Sequence, residues 1–219
     1  MYFYFSFFIS HFLFRNMPYS QFTSIQSVRE QLGLRVVYER LFPNLIEMQP
    51  TDLLSQVLAR VMTSRIAYFS EKSRSEAIVF PILNEIRFLH ENHIALYSGA
   101  NIEGDKEKGL NGECDFVLSA GSQGMEVVKP VFCIVEAKDQ DIRMGTPQCM
   151  AQLMGAKLFN EKDGITQNLY YGAVTTGTNW TFLKMEDNLV TIDTRDYSFV
   201  QLPQLLGVLE SIVTFYIDK

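Results

Sequence analysis

Apolar positions along the chain change their period twice, and the changes predict helices at both ends around a run of strands. Between residues 24 and 41, Val28, Leu32, Val36 and Val37 recur at helical spacing until Pro43 and Asn44 break the pattern. Thr51 can cap a second helix over residues 51–69, with Leu54, Val57, Leu58, Val61 and Ile66 on its buried face. A third, over residues 75–90, presents Val79, Leu83 and Ile86 on one side and carries Pro81 as a kink. After Asn92 the pattern becomes that of strands, expected at residues 94–102, 112–119, 131–138, 169–176, 180–185 and 189–192. Their connecting segments hold Gly104, Gly109, Gly121, Gly124, Gly164 and Gly177. A helix over residues 147–159 interrupts the strands, and another over residues 203–217 closes the chain. That order implies a mixed sheet with helices on its faces, in the α/β or α+β class. Residues 17–72 make an N-terminal helical part, and residues 73–219 make the core domain.

Residues 1–14, MYFYFSFFISHFLF, stand apart and hold six of the 17 phenylalanines. No basic residue precedes the apolar run and no small-residue cleavage site follows it, so it does not read as a signal peptide. It is shorter than the roughly 20 apolar residues that span a bilayer, and Ser6, Ser10 and His11 interrupt it. Ordinary polar chemistry resumes at Arg15. This points to Met17 as the true start and to residues 1–16 as an extension outside the core, with a membrane-surface anchor as the alternative.

Composition narrows the function classes. The 219 residues are 47% apolar and 20% charged, a globular composition with enough chain for a substantial core. Lys and Arg total 19 against 25 Asp and Glu, a formal charge of −6. That excludes a protein that coats nucleic acid through a generally basic surface, but not an enzyme with one local basic groove. Cys114, Cys133 and Cys149 supply neither a disulfide framework nor metal-ligand spacing, and as reduced thiols they point to the cytoplasm.

One stretch carries chemistry. Glu136 and Lys138 lie two apart on an expected strand and so leave the same face of the sheet. Their neighbours Ile134, Val135 and Ala137 are apolar, and charges buried there are costly unless they pair or bind an ion. Asp115 sits in the same way among Cys114, Phe116, Val117 and Leu118. If the two strands form an antiparallel hairpin with its turn centred between Met125 and Glu126, Asp115 falls opposite Glu136, with Cβ atoms about 5 Å apart. Two carboxylates that close repel each other unless a cation lies between them. Mg²⁺ (or Mn²⁺) suits such a pair, because it uses one or two carboxylates plus water and substrate oxygens. Lys138 can then hold an attacking water or stabilise charge developing on a phosphate.

Asp115, twenty intervening residues, and Glu136-Ala137-Lys138 together resemble the PD-(D/E)XK motif of the restriction-endonuclease-like nuclease superfamily. Cys114 stands where that motif has proline. More locally, the chain is similar to a family of small bacterial proteins of that fold, through G-x-C-D-F at residues 112–116, I-V-E-A-K at 134–138, Q-C-x-A-Q at 148–152 and V-T-T-G-x-x-W at 174–180. The resemblance covers residues 70–215. It implies an α/β/α core with a central mixed sheet, preceded here by extra N-terminal helices. It also implies a metal-dependent phosphodiesterase in which Asp115, Glu136 and the carbonyl of Ala137 bind Mg²⁺ and Lys138 assists the nucleophile. DNA is the expected partner, with a protein partner or a homodimer as further possibilities and no membrane for the core.

Gln148 and Gln152 are i and i+4 on the following helix and project together, toward a metal-bound phosphate or simply toward solvent. The superfamily often carries a glutamate on the helix before the sheet. Glu76 and Glu85 both qualify but face opposite ways; Glu76 is preferred and Glu85 is expected to be solvated. Glu113 is expected to be a solvated neighbour of Asp115. His11, His90 and His93 form no catalytic grouping, Cys149 lacks a nearby histidine, and Trp180 reads as core behind a turn. Arg60, Arg65, Lys72 and Arg74 are candidate DNA contacts. The competing classes are a non-catalytic subunit that keeps the fold as a binding module, a buried structural ion network, and a hydrolase of small phosphorylated compounds.

Overall fold

The computed structural model describes residues 19–138 and 141–217; the extension at residues 1–16, with the start-site expectation attached to it, lies outside them. The strands are β1 (Arg35–Glu39), β2 (Ile94–Asp105), β3 (Leu110–Ala120), β4 (Val131–Ala137), β5 (Leu169–Thr175), β6 (Asn179–Glu186) and β7 (Leu189–Ser198). They form one seven-stranded sheet in the order β1-β7-β6-β5-β4-β3-β2. The β1/β7 and β4/β5 pairs are parallel and the rest antiparallel, so the sheet is mixed.

Helices cover both faces. On one side α1 (Ile25–Leu32) and α5 (Ile142–Glu161) bury Val28, Met150 and Leu153 against Val117, Ile134 and Leu183. On the other, α2 (Asp52–Ser64), α4 (Phe80–Leu89) and α6 (Leu202–Ile217) bury Leu58, Ile82 and Leu209 with Phe132 and Phe182. Among the described residues, α6 with its preceding turn, Phe199–Ile217, is long and apolar enough to cross a membrane, with a mean hydropathy of 1.4. In this fold Leu205, Leu206, Val208, Leu209, Ile212 and Val213 of that helix are buried.

Several expected boundaries move for local reasons. The helix expected over residues 24–41 stops at Leu32, because Gly33 takes the left-handed conformation (φ 66) that ends helices. Val36 and Val37 then lie in a strand parallel to β7, so the N-terminal part is not purely helical; β-branched side chains fit that setting better than a helix. The helix from Thr51 also ends early, at Ser64, with Arg65 left-handed (φ 60), and Ile66 is 55% exposed instead of lying on a buried face. The helix expected from residue 75 begins one turn sooner as α3 (Glu71–Arg74), capped by the Ser70 hydroxyl. It passes through one π-helical turn, Ser75–Val79, in which the Phe80 N–H reaches Ser75 O. Pro81 cannot donate to the carbonyl four residues back, and the wider turn just upstream accommodates its ring. Likewise α5 starts at Ile142, five residues before Pro147, because the Asp141 carboxylate caps it.

Candidate active site

The β3–β4 ladder pairs Phe116 with Val135, Val117 with Ile134 and Leu118 with Cys133. This is the register that sets Asp115 against Glu136. The paired positions stop one step short of the acids, and Asp115 Oδ2 instead accepts the Ala137 N–H at 2.7 Å. On the other flank, Ser98 and Ala100 of β2 pair with Phe116 and Cys114, while Gly99 between them is left-handed (φ 66) and unpaired. A side chain would be strained there. The interruption leaves a recess of about 390 Å³ lined by Gly99, Glu113, Asp115 and Ala137 and, from the helix above, Glu71 and Glu76.

Glu136 approaches the end of β4 from the α5 side and is 2% exposed. Lys138 Nζ lies 2.6 Å from its Oε1 and donates to Gln148 Oε1 at 3.1 Å. Gln152 Nε2 donates to Glu136 Oε2 at 2.7 Å, so both glutamines of α5 reach the same carboxylate–ammonium pair. Two backbone features set the lysine in place. Its N–H donates to Thr175 O at 2.8 Å, and its stem lies against Gly145, where an added Cβ would come 2.9 Å from Lys138 Cγ.

Burial is the first influence on all three charges. It pushes the Glu136 carboxyl up to about 7, the Asp115 charge adds to that, and Lys138 and Gln152 oppose it. Asp115 is also held above the usual carboxylate range by burial, with Glu71 and Glu113 adding to the rise and the Ala137 N–H and Lys138 pulling it down. For Lys138 burial works against the ammonium, but Glu136, Asp115 and Glu71 outweigh it and the net shift is upward. Removing a proton from Lys138 is therefore hard while its acidic neighbours are ionised.

Further acids surround the recess or lie on the helices beside it. Glu76 lines it but points outward, 68% exposed and 3.9 Å from Lys72. Glu71, one turn earlier, lines the same recess and interacts electrostatically with both Asp115 and Lys138. Its signal in the sequence was the Ser70 cap, which moves the helix start upstream. Glu113 is exposed, as expected, yet lines the recess beside Asp115. Glu85 is not solvated: it is 7% exposed and accepts the Thr51 N–H at 2.8 Å and the Thr51 hydroxyl at 3.1 Å. A carboxylate on the buried face of α4 is satisfied there by Thr51, the capping residue of α2.

The remaining candidates have structural places. Cys114, Cys133 and Cys149 are free and buried. Burial, then Glu136 and the other two cysteines, holds the Cys149 thiol well above its ordinary range, which leaves no thiolate nucleophile. His90 pairs with Glu210 at 2.9 Å and ties α4 to α6. Trp180 is fully buried, its indole N–H donating to Gly177 O at 3.3 Å. Of the basic candidates, Lys72 lines the recess, and the Arg74 stem packs on Gly177 of the β5–β6 turn.

Among the described residues no group of three or more His, Cys, Asp or Glu side chains is arranged to hold a metal. The donors at the end of β4 are two carboxylates and backbone, the sparse oxygen set that Mg²⁺ uses with water. Gln152 Oε1 is buried beside Glu136 without a hydrogen-bond partner, a position where an ordered or metal-bound water is expected. These residues fit a hard divalent cation. No protein-family model matches the chain, and a search of curated proteins gives no match.

Proposed function

We propose that this protein is a divalent-metal-dependent nuclease that hydrolyses phosphodiester bonds in DNA, built on a restriction-endonuclease-like α/β/α core. The observation that carries the proposal is the convergence of Asp115, Glu136, Lys138, Gln148 and Gln152 at one strand end, through contacts of 2.6–3.1 Å. Asp115, Glu136 and the carbonyl of Ala137 would hold Mg²⁺ or Mn²⁺, which when bound supplies Lewis-acid stabilisation of a phosphate and a more acidic water. Lys138, charged and directed by Gln148, orients a water or meets charge developing on a phosphate oxygen. Gln152 fixes the Glu136 carboxylate from behind. Glu71, which lines the recess and acts electrostatically on both Asp115 and Lys138, is favoured over Glu76 as the acid to share the cation.

One observation favours a second reading, a non-catalytic binding module. Both Glu136 oxygens already have partners in Lys138 and Gln152, as in a self-contained buried ion network. Nuclease assays on single- and double-stranded DNA with and without Mn²⁺ or Mg²⁺ separate the two. The nuclease reading expects cleavage that needs the metal and falls by at least about 100-fold in Asp115→Asn, Glu136→Gln and Lys138→Met, each still folded. No cleavage in any metal, and no calorimetric Mn²⁺ binding that Asp115→Asn removes, leaves the binding module.

A further inference from the structure

A cleft of about 440 Å³ opens beside this centre, on the α5 face of the sheet. It begins one residue from the backbone that holds the lysine: Thr176 lines it and follows Thr175, whose carbonyl takes the Lys138 N–H. Its size falls within the roughly 300–1,000 Å³ of small-ligand sites. Ile142 and Ile192 give it apolar walls, and Tyr38 of the edge strand β1, 61% exposed, adds an aromatic ring with no stacking partner among the described residues.

The polar groups select a particular ligand chemistry. Between Thr181 and Leu183 of β6, the partner strand β7 runs from Asp196 to Ile192 and bulges, and both of those β7 residues line the cleft. Asp196 Oδ1 accepts the Thr181 hydroxyl. Its other oxygen and the Asn179 side-chain amide have no hydrogen-bond partner among the described residues, and Asp196 has no ion-pair partner among them within 4.0 Å. Asn179 pairs with Ser198 and Thr181 with Asp196, so the amide and the carboxylate are diagonal neighbours on one face of the ladder. Arg143 is occupied by Asp141 at 3.0 Å. Among the described residues Arg143 is the one cation lining the cleft, and the exposed Asp196 carboxylate has no ion-pair partner, which favours a ligand that brings N–H donors over a phosphate.

We infer that this cleft is a guanine-binding subsite. A carboxylate takes the paired N1–H and N2–H donors of guanine, the neighbouring amide donates to O6, and Tyr38 stacks on the ring. Adenine and cytosine offer no such pair of adjacent donors. In the nuclease reading, which gives the subsite its role, a guanine seated here places its nucleotide beside Lys138 and biases cleavage toward guanine. Base binding itself does not need that reading.

Equilibrium titration of the full chain with guanosine, adenosine and cytidine 5′-monophosphates, followed by NMR, tests the inference. Guanosine monophosphate is expected to bind at least about tenfold tighter than the other two. Asp196→Asn, which keeps an oxygen for Thr181, erases the preference. Asn179→Ala, at an exposed position, weakens it, and Tyr38→Ala weakens all three nucleotides. Equal binding of the three nucleotides, or a guanine preference untouched by Asp196→Asn, overturns the inference. A protein that prefers guanine but never cleaves loses the nuclease reading alone; one that cleaves without a guanine preference loses the subsite alone.

Discussion

Glu136 is the residue on which the centre turns, because it is a carboxylate buried among apolar strands with a single ammonium beside it. Its folded-state pKa near 7 lies above the ordinary 4.5, so between those values the folded protein keeps a proton that the unfolded chain has released. The stabilising contribution of the neutral carboxyl is complete below about pH 4.5 and is lost as the pH rises through about 7. Metal-free protein is therefore expected to become less stable from pH 5 to pH 8 by on the order of 2–3 kcal/mol, measured as a falling denaturant midpoint. Glu136→Gln is expected to flatten that slope and to be the more stable protein at pH 8. Asp115, Glu136 and Lys138 were legible in the sequence because a charge inside an apolar run contradicts its surroundings. Gln148 and Gln152 were legible from a spacing of four. Gly99 was not, since nothing local marks a left-handed residue inside a strand, and Glu71 was hidden by a helix start set one turn too late.

At the scale of elements, close backbone packing fixes α5 over the sheet. A Cβ added at Gly104 of β2 would lie 2.6 Å from Gly155 O and 2.7 Å from Gly155 Cα, both backbone atoms of or within α5. Neither can yield without moving the helix. Gly104→Ala is expected to cost about 1–3 kcal/mol, seen as a Tm drop of roughly 2–10 °C. On the nuclease reading cleavage falls as well, since α5 carries both glutamines. Sequence spacing located six of the seven strands, because alternating or continuously apolar runs between glycines are their direct imprint. It missed β1, whose Val36 and Val37 happen to continue the helical rhythm of Val28 and Leu32. Pairing with β7 decides that segment, and such a long-range contact has no local signature.

The whole molecule shows that the N-terminal part and the core share their interior. Tyr19, Phe22 and Val28 are buried in the same cluster as Ile134, Met150 and Leu153, and the Tyr19 hydroxyl donates to Ile102 O at 3.0 Å. With 25 acidic against 19 basic side chains, few phosphates can be contacted at once. On the nuclease reading, binding of DNA, measured across a salt series, is expected to weaken with a log–log slope no steeper than about −3. A slope near −8, about what nine neutralised phosphates would give, contradicts that picture. The bare backbone at Gly145 has a mechanical consequence. It lets the Lys138 stem lie flat on α5 with the ammonium clasped between strand and helix, so the side chain works as a strut joining two layers. Whatever draws that ammonium off Glu136 must slide the stem along the first turns of α5, the same turns that bring Ile142 and Thr146 to the neighbouring cleft. On the proposed reading, filling one site would be felt in the walls of the other.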